Sequence, residues 1–221
     1  MAEITKPYEI DTSVHEKNTI DESFFKDGEE TIREAMWKYK GRKMKTEFGE
    51  KVLFKIKGGG WIENERNLSQ SGKCWIEEGA IVCGLARVSD NAFIGKGCQV
   101  GDTAVVSGDA VVEGKSVVGG HTYIQGHISS SKVMGSARVM DGAEVLDGSD
   151  VEYRATVFGT VEKAMVGGHT TVYGEVKDGA VVCGRSSVGE VASVIGPYVV
   201  FGCRVSGRVG KPVEEESESD G

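Results

Sequence analysis

The apolar positions of the chain fall into a single register between Ile76 and Val205. It opens Ile76, Val82, Val88, Ile94, Val100 and closes Val188, Val194, Val200, Val205. All 24 anchors of this register are Ile or Val, and of the 23 steps between them 17 are six residues, three are five and three are four. The four-residue steps are Ile124 to Ile128, Val157 to Val161 and Val172 to Val176. Two residues before each anchor the side chain is small, with Tyr198 the one break, and two residues after it Gly or Asp stands in 18 of 24 cases.

Alternation within a short strand points an anchor and the residue two before it to the same side, so both columns face inward. The Gly and Asp column marks a corner, where a positive φ is cheap for Gly and tolerable for Asp. A six-residue rung and corner is the repeat of a β-helix. Three such units close a triangular coil, which predicts about eight coils and, at ~4.8 Å per stacked strand, a prism ~38 Å long. The four-residue steps are expected to pinch a corner.

Four segments follow. Residues 1–57 are an N-terminal arm, an amphipathic helix and a basic hairpin; 58–75 are an entry cap; 76–209 are the β-helix; 210–221 are an acidic tail without anchors, expected to be disordered. The arm to residue 26 has no sustained period and is expected to order only against another surface. Asp27 is the expected N-cap of a helix of about three turns, with Ile32, Met36 and Tyr39 on one face and Gly41 past its end. Met44 to Lys57 alternates around Phe48-Gly49-Glu50, predicting a hairpin with Val52, Phe54 and Ile56 on one face and Lys55 and Lys57 on the other. Trp61 and Trp75 are expected to cap the open end of the first coil. The fold class is therefore all-β, a parallel β-helix with a small N-terminal helix and β-hairpin.

The segment Gly59-Gly60-Trp61-Ile62, then Asn67-Leu68-Ser69-Gln70, Gly72 and Cys74-Trp75-Ile76, resembles the entry segment of YdcK-like hexapeptide-repeat proteins of bacteria and phages, often labelled transferases. The likeness runs from Val52 to about Val205; the first 50 residues have no counterpart in it, and the family's longer insertion between strand and GGW is absent. It implies a left-handed winding, a homotrimer and, for a phage-encoded chain, the host cytoplasm. For the hexapeptide acyltransferases it also implies acetyl-CoA bound between subunits and a histidine as general base.

Composition narrows the classes. No apolar run approaches the ~18 residues of a membrane span and no apolar signal segment opens the chain, so a cytoplasmic protein without membrane contact is expected. Net charge is −8, yet residues 38–57 hold eight Lys or Arg against Glu47 and Glu50, a local +6 that leaves −14 elsewhere. The acidic remainder makes nucleic acid an unexpected partner. Lys43, Lys45, Lys55 and Lys57, interleaved with aromatics, read either as a phosphate patch or as a solvated strand face, and the second is favoured because no nucleic-acid motif accompanies them. The five cysteines form no CxxC; Cys74, Cys98 and Cys203 fall in the small inward column, while Cys83 and Cys183 are expected to be more exposed.

The candidate chemistry rests on histidine. His121 and His169 occupy matching places in VVGGHTYIQGHI and MVGGHTTVYGEV, three coils and ~14 Å apart, too far to share one metal within a subunit. His127 lies one step beyond His121 on the adjacent face. With no convergent carboxylate a zinc site is not expected. His121, His127 and His169 are ligand-binding candidates, and His121 or His127 would serve as base if the chain transferred an acyl group. The chain has no protruding loop and no C-terminal helix to shape an acceptor site, so the expected function is a non-catalytic scaffold, without a cofactor. It would bind a host or phage protein, or a small nucleotide-like ligand, on its faces or between subunits. The alternative is a CoA-dependent hexapeptide acyltransferase.

Overall fold

The computed structural model describes residues 8–18 and 31–210. Short parallel strands stack into three flat sheets around one hydrophobic core, a β-solenoid of about nine turns. All 24 anchors are buried, the least so Val205 at 6 % exposed. They stack in register on like partners, as in Ile76 on Ile94, Val82 on Val100 and Val88 on Val106. Burying a Val or Ile fully contributes ~1.5–3 kcal/mol, so the inner column dominates the stability of each coil. The four-residue steps hold: Ile128 stacks on Val112, Val161 on Val145 and Val176 on Val161.

The extra turn lies at the start. β3 (Trp61–Ile62) pairs in parallel with the strand Ile81–Val82, and Leu68 bridges to Val88, so Ile62, Leu68 and Ile76 form a first coil. The eight residues from Leu68 to Ile76 are longer than any step of the register, which is why the repeat alone begins later. Each coil contributes a strand to a first face (Ile62 to Val200), a second (Leu68 to Val205) and a third (Ile76 to Val209).

Corner geometry follows the Gly and Asp column. Gly84, Asp90, Asp102, Gly120 and Asp147 all take positive φ there, and so do three residues that are neither Gly nor Asp: Ser130, Tyr153 and Lys163. Tyr153, at φ 60°, is the bulkiest of them.

The N-terminal element docks on the first face. β1 (Arg42–Thr46) and β2 (Gly49–Lys55) form an antiparallel hairpin, and β2 also pairs with β3, so the hairpin extends the first sheet. Phe54 and Ile56 are buried as expected, but Val52 is 44 % exposed and Leu53, on the opposite side, is fully buried against Ile81 and Cys83. The hairpin folds back over the prism, so both sides of β2 meet protein near its end. α1 (Ile32–Lys38) is shorter than expected: Thr31 caps it, its side chain accepting from the Glu34 amide while Glu34 accepts from the Thr31 amide. The proposed cap Asp27 lies outside the described residues.

The arm orders against β2, with Ile10 bridging Ile56 and the Asp11 amide donating to the Lys55 carbonyl at 2.8 Å. His15 fastens it. The Lys55 amide donates to His15 Nε2 at 2.9 Å, so Nδ1 carries the proton and donates to the Lys40 carbonyl at 3.1 Å. Trp61 does not cover the open end of the first coil. It lies on the outer face, edge-on to His15 and under the Arg42 and Lys55 cations, because its position in the strand is outward. The end is closed instead by the Ile56–Gly60 turn, whose Gly60 amide donates to the Ile76 carbonyl at 2.8 Å, with Trp75 packed half-buried beside it.

Candidate functional site

The histidines do not converge. His121 and His169 are exposed on the corner between the first and second faces, and neither imidazole has a hydrogen-bond partner among the described residues. His127 faces outward on the third face, its Nε2 3.0 Å from Glu113 Oε1. Among the described residues no group of three His, Cys, Asp or Glu is placed to hold a metal ion.

The basic residues of the hairpin are paired off. Lys43 meets Glu50 at 3.7 Å, Lys57 meets Glu9 at 3.2 Å, and Lys55, its side chain 12 % exposed, meets Glu78 at 3.3 Å and the Trp61 ring at 5.6 Å. Lys45 stands opposite Glu50 in the hairpin register. Acidic residues of the hairpin, arm and first coils thus offset the local positive charge.

The cysteines depart from expectation at both ends. Cys83 is fully buried beneath Leu53, and burial pushes its thiol up to about 11. Cys203, though in the inward column, is exposed, because nothing described stacks on the last coil at that corner. Cys183 is half-buried.

Two features stand out on the first face. Over coils one to four it is covered by the hairpin: Phe48 sits where a side chain at Gly119 would be, and the Glu47 amide donates to Gln99 Oε1 at 2.8 Å. Over coils six to nine no described segment covers the same face. Its outward ladder there is Asp150, Met165, Val181 and Val199, paired in register, with Met165 48 % and Val199 71 % exposed. Between these rungs runs a groove of about 300 Å³ lined by Tyr153, Met165, Val181 and Cys183, floored by Gly167 and Gly168, with Glu152 at one end. The Tyr153 ring leans over Gly167, Cδ2 lying 3.7 Å from where a β-carbon would be, and Phe201 covers Gly184 at the far end. A larger hollow of about 580 Å³ follows the exposed rim of the last coil around Val199, Phe201 and Arg204.

Sequence reasoning passed over this groove. Its signal was present, since Tyr153 breaks the Gly and Asp column, but that break gains meaning only once the hairpin is seen to cover one half of the face and not the other. Among the described residues no helix is long and apolar enough to cross a membrane. In comparison with known proteins, the chain matches no family model and no curated protein.

Proposed function

We propose that this chain is a non-catalytic β-helical scaffold that binds a ligand on the first face of its last coils. The observation that supports this most is the contrast along that face: one half is packed under Leu53 and Phe48, while the other presents an apolar groove with an aromatic wall. A face built of two-residue rungs is rigid and offers no moving element, which suits holding a ligand better than driving a reaction on it. The left-handed winding, the trimer and the phage origin implied by the YdcK-like entry segment belong to this reading as well. An acyltransferase would need a histidine oriented by a second group; His121 and His169 have none among the described residues, and His127, whose Nε2 lies 3.0 Å from Glu113 Oε1, is the base this alternative would use.

The test pairs two sets of variants. Met165→Glu places a charge in the groove, and His121→Ala, His127→Ala and His169→Ala together remove each candidate base. The scaffold reading expects ligand retention to fail in the first and survive in the second, with acetyl-CoA unconsumed by either. Thioester cleavage that depends on the histidines would overturn it in favour of the acyltransferase.

A further inference from the structure

The corner beside the groove carries a second pattern. Arg154, His169 and Arg185 follow one another on consecutive coils of the corner between the first and second faces, the Arg154 amide donating to the Gly168 carbonyl and the His169 amide to the Gly184 carbonyl. Each follows directly a residue that lines the groove: Tyr153, Gly168 and Gly184. Two residues further on, the outward positions of the second face are Thr156, Thr171 and Ser187, paired rung on rung, and this hydroxyl ladder is bracketed by Arg138 above and Arg204 below.

The charges there have no ion-pair partner among the described residues. Arg138, Arg154, Arg185 and Arg204 are exposed and form no ion pair among the described residues, in a chain of net charge −8 whose hairpin lysines are mostly matched by carboxylates. The one carboxylate lining the groove, Glu152, lies 3.9 Å from Lys132. Arginine forks and hydroxyls are the donors that recognise phosphoryl oxygens. On the other side of the same corner, an apolar slot with a tyrosine ring offers a planar base a surface on which to stack. Tyr153 holds this place at φ 60°, a backbone conformation that costs a bulky residue energy and that the column elsewhere gives mostly to Gly or Asp.

We propose that a nucleotide carrying two or more phosphates straddles this corner, its base in the groove against Tyr153 and its phosphates on Arg154, His169, Arg185 and the Thr171 hydroxyl. The assignment rests on the scaffold reading and names the class of its ligand. Arg154 and Arg185 stand two rungs apart, ~10 Å along the axis, within reach of adjacent phosphates from two extended side chains.

The experiment is calorimetric titration of the full chain, free of divalent cations, with ADP, adenosine and pyrophosphate as separate probes. ADP should bind, and adenosine and pyrophosphate should each bind at least about tenfold more weakly. Arg154→Ala and Arg185→Ala should each weaken ADP about tenfold and flatten its salt dependence, with melting unchanged. Tyr153→Gly should weaken ADP and adenosine while leaving pyrophosphate as it was. No heat with ADP to about 1 mM, pyrophosphate binding as well as ADP, or ADP indifferent to these substitutions would overturn the assignment. If ADP fails while Met165→Glu still strips a ligand from the native protein, the scaffold stands and only the nucleotide falls.

Discussion

Phe48 and Gly119 share one space: a β-carbon at Gly119 would lie 2.5 Å from Phe48 Cε1. A residue at the tip of the hairpin thus reads a missing side chain on the fourth coil, 71 positions later in the chain, and this contact sets how far the hairpin lies along the first face. Gly119→Ala should lift the tip and cost about 1–3 kcal/mol, as an overpacked contact does. Phe48→Ala, which empties the notch, should cost a similar amount. Denaturant unfolding of both variants checks this, and their combination should cost less than the sum, since each removes the same contact.

Thiol labelling reports the same docking independently. Cys203 should alkylate first and Cys183 more slowly, while Cys83, with its thiol pushed up to about 11 beneath Leu53, should resist in the native protein. In Phe48→Ala, Cys83 should become the most accelerated site. Peptide mass mapping after brief iodoacetamide treatment resolves the order, and Cys83 labelling as fast as Cys203 in the unaltered chain would contradict the covered half-face.

Acid should release the arm before it melts the prism. His15 is held neutral by desolvation, its pKa lowered from the ordinary value, and Nε2 must stay unprotonated to accept from the Lys55 amide. Below the unfolded value of about 6.5 the unfolded chain takes up a proton that the folded one refuses. Its contribution is therefore whole above about pH 6.5 and lost as pH falls towards the lowered folded value. The protection of the amides of residues 8–18, taken relative to their intrinsic exchange rates, should fall as pH drops below about 6.5, and His15→Ala should lower that protection at neutral pH and flatten its dependence.

Asn67 is buried completely and spends its whole amide on backbone: Oδ1 accepts from the Glu63 and Asn64 amides, and Nδ2 donates to the Gly84 and Ala86 carbonyls. Asn67→Leu would orphan those groups at the first corner and should cost about 2–4 kcal/mol, read as a lowered denaturation midpoint.

Tyr153 separates stability from binding. Replacing it by Ile keeps the positive φ and adds β-branching, which should destabilise by about 1–2 kcal/mol, whereas Gly should be neutral or gain up to about 1 kcal/mol. Thermal melts of both variants decide it; a Tyr153→Gly chain that melts well below the parent would show that the ring serves the fold.

These relationships differ in how openly the chain displays them. The inner column was legible from Ile76 onwards because a branched residue recurring every six, five or four positions leaves few other ways to bury it. The first coil was hidden by the long step from Leu68 to Ile76, and the helix start by acidic residues at 29 and 30 that mimic a first turn ahead of the true cap, Thr31. The roles of His15 and Leu53 depend on which side of β2 meets the prism, which alternation within one strand cannot decide. The Arg154, His169 and Arg185 column is spaced 15 and 16 residues apart, and it becomes a line only when the shortened steps at Val157 to Val161 and Val172 to Val176 are counted in.

The most direct measurement is native mass spectrometry of the full chain purified gently, set beside Met165→Glu prepared in the same way. The scaffold account predicts a homo-oligomer carrying a small molecule in the unaltered protein, and the loss of that added mass in the variant. The same bare mass from both would contradict it, leaving the groove between Tyr153 and Met165 without a ligand to hold.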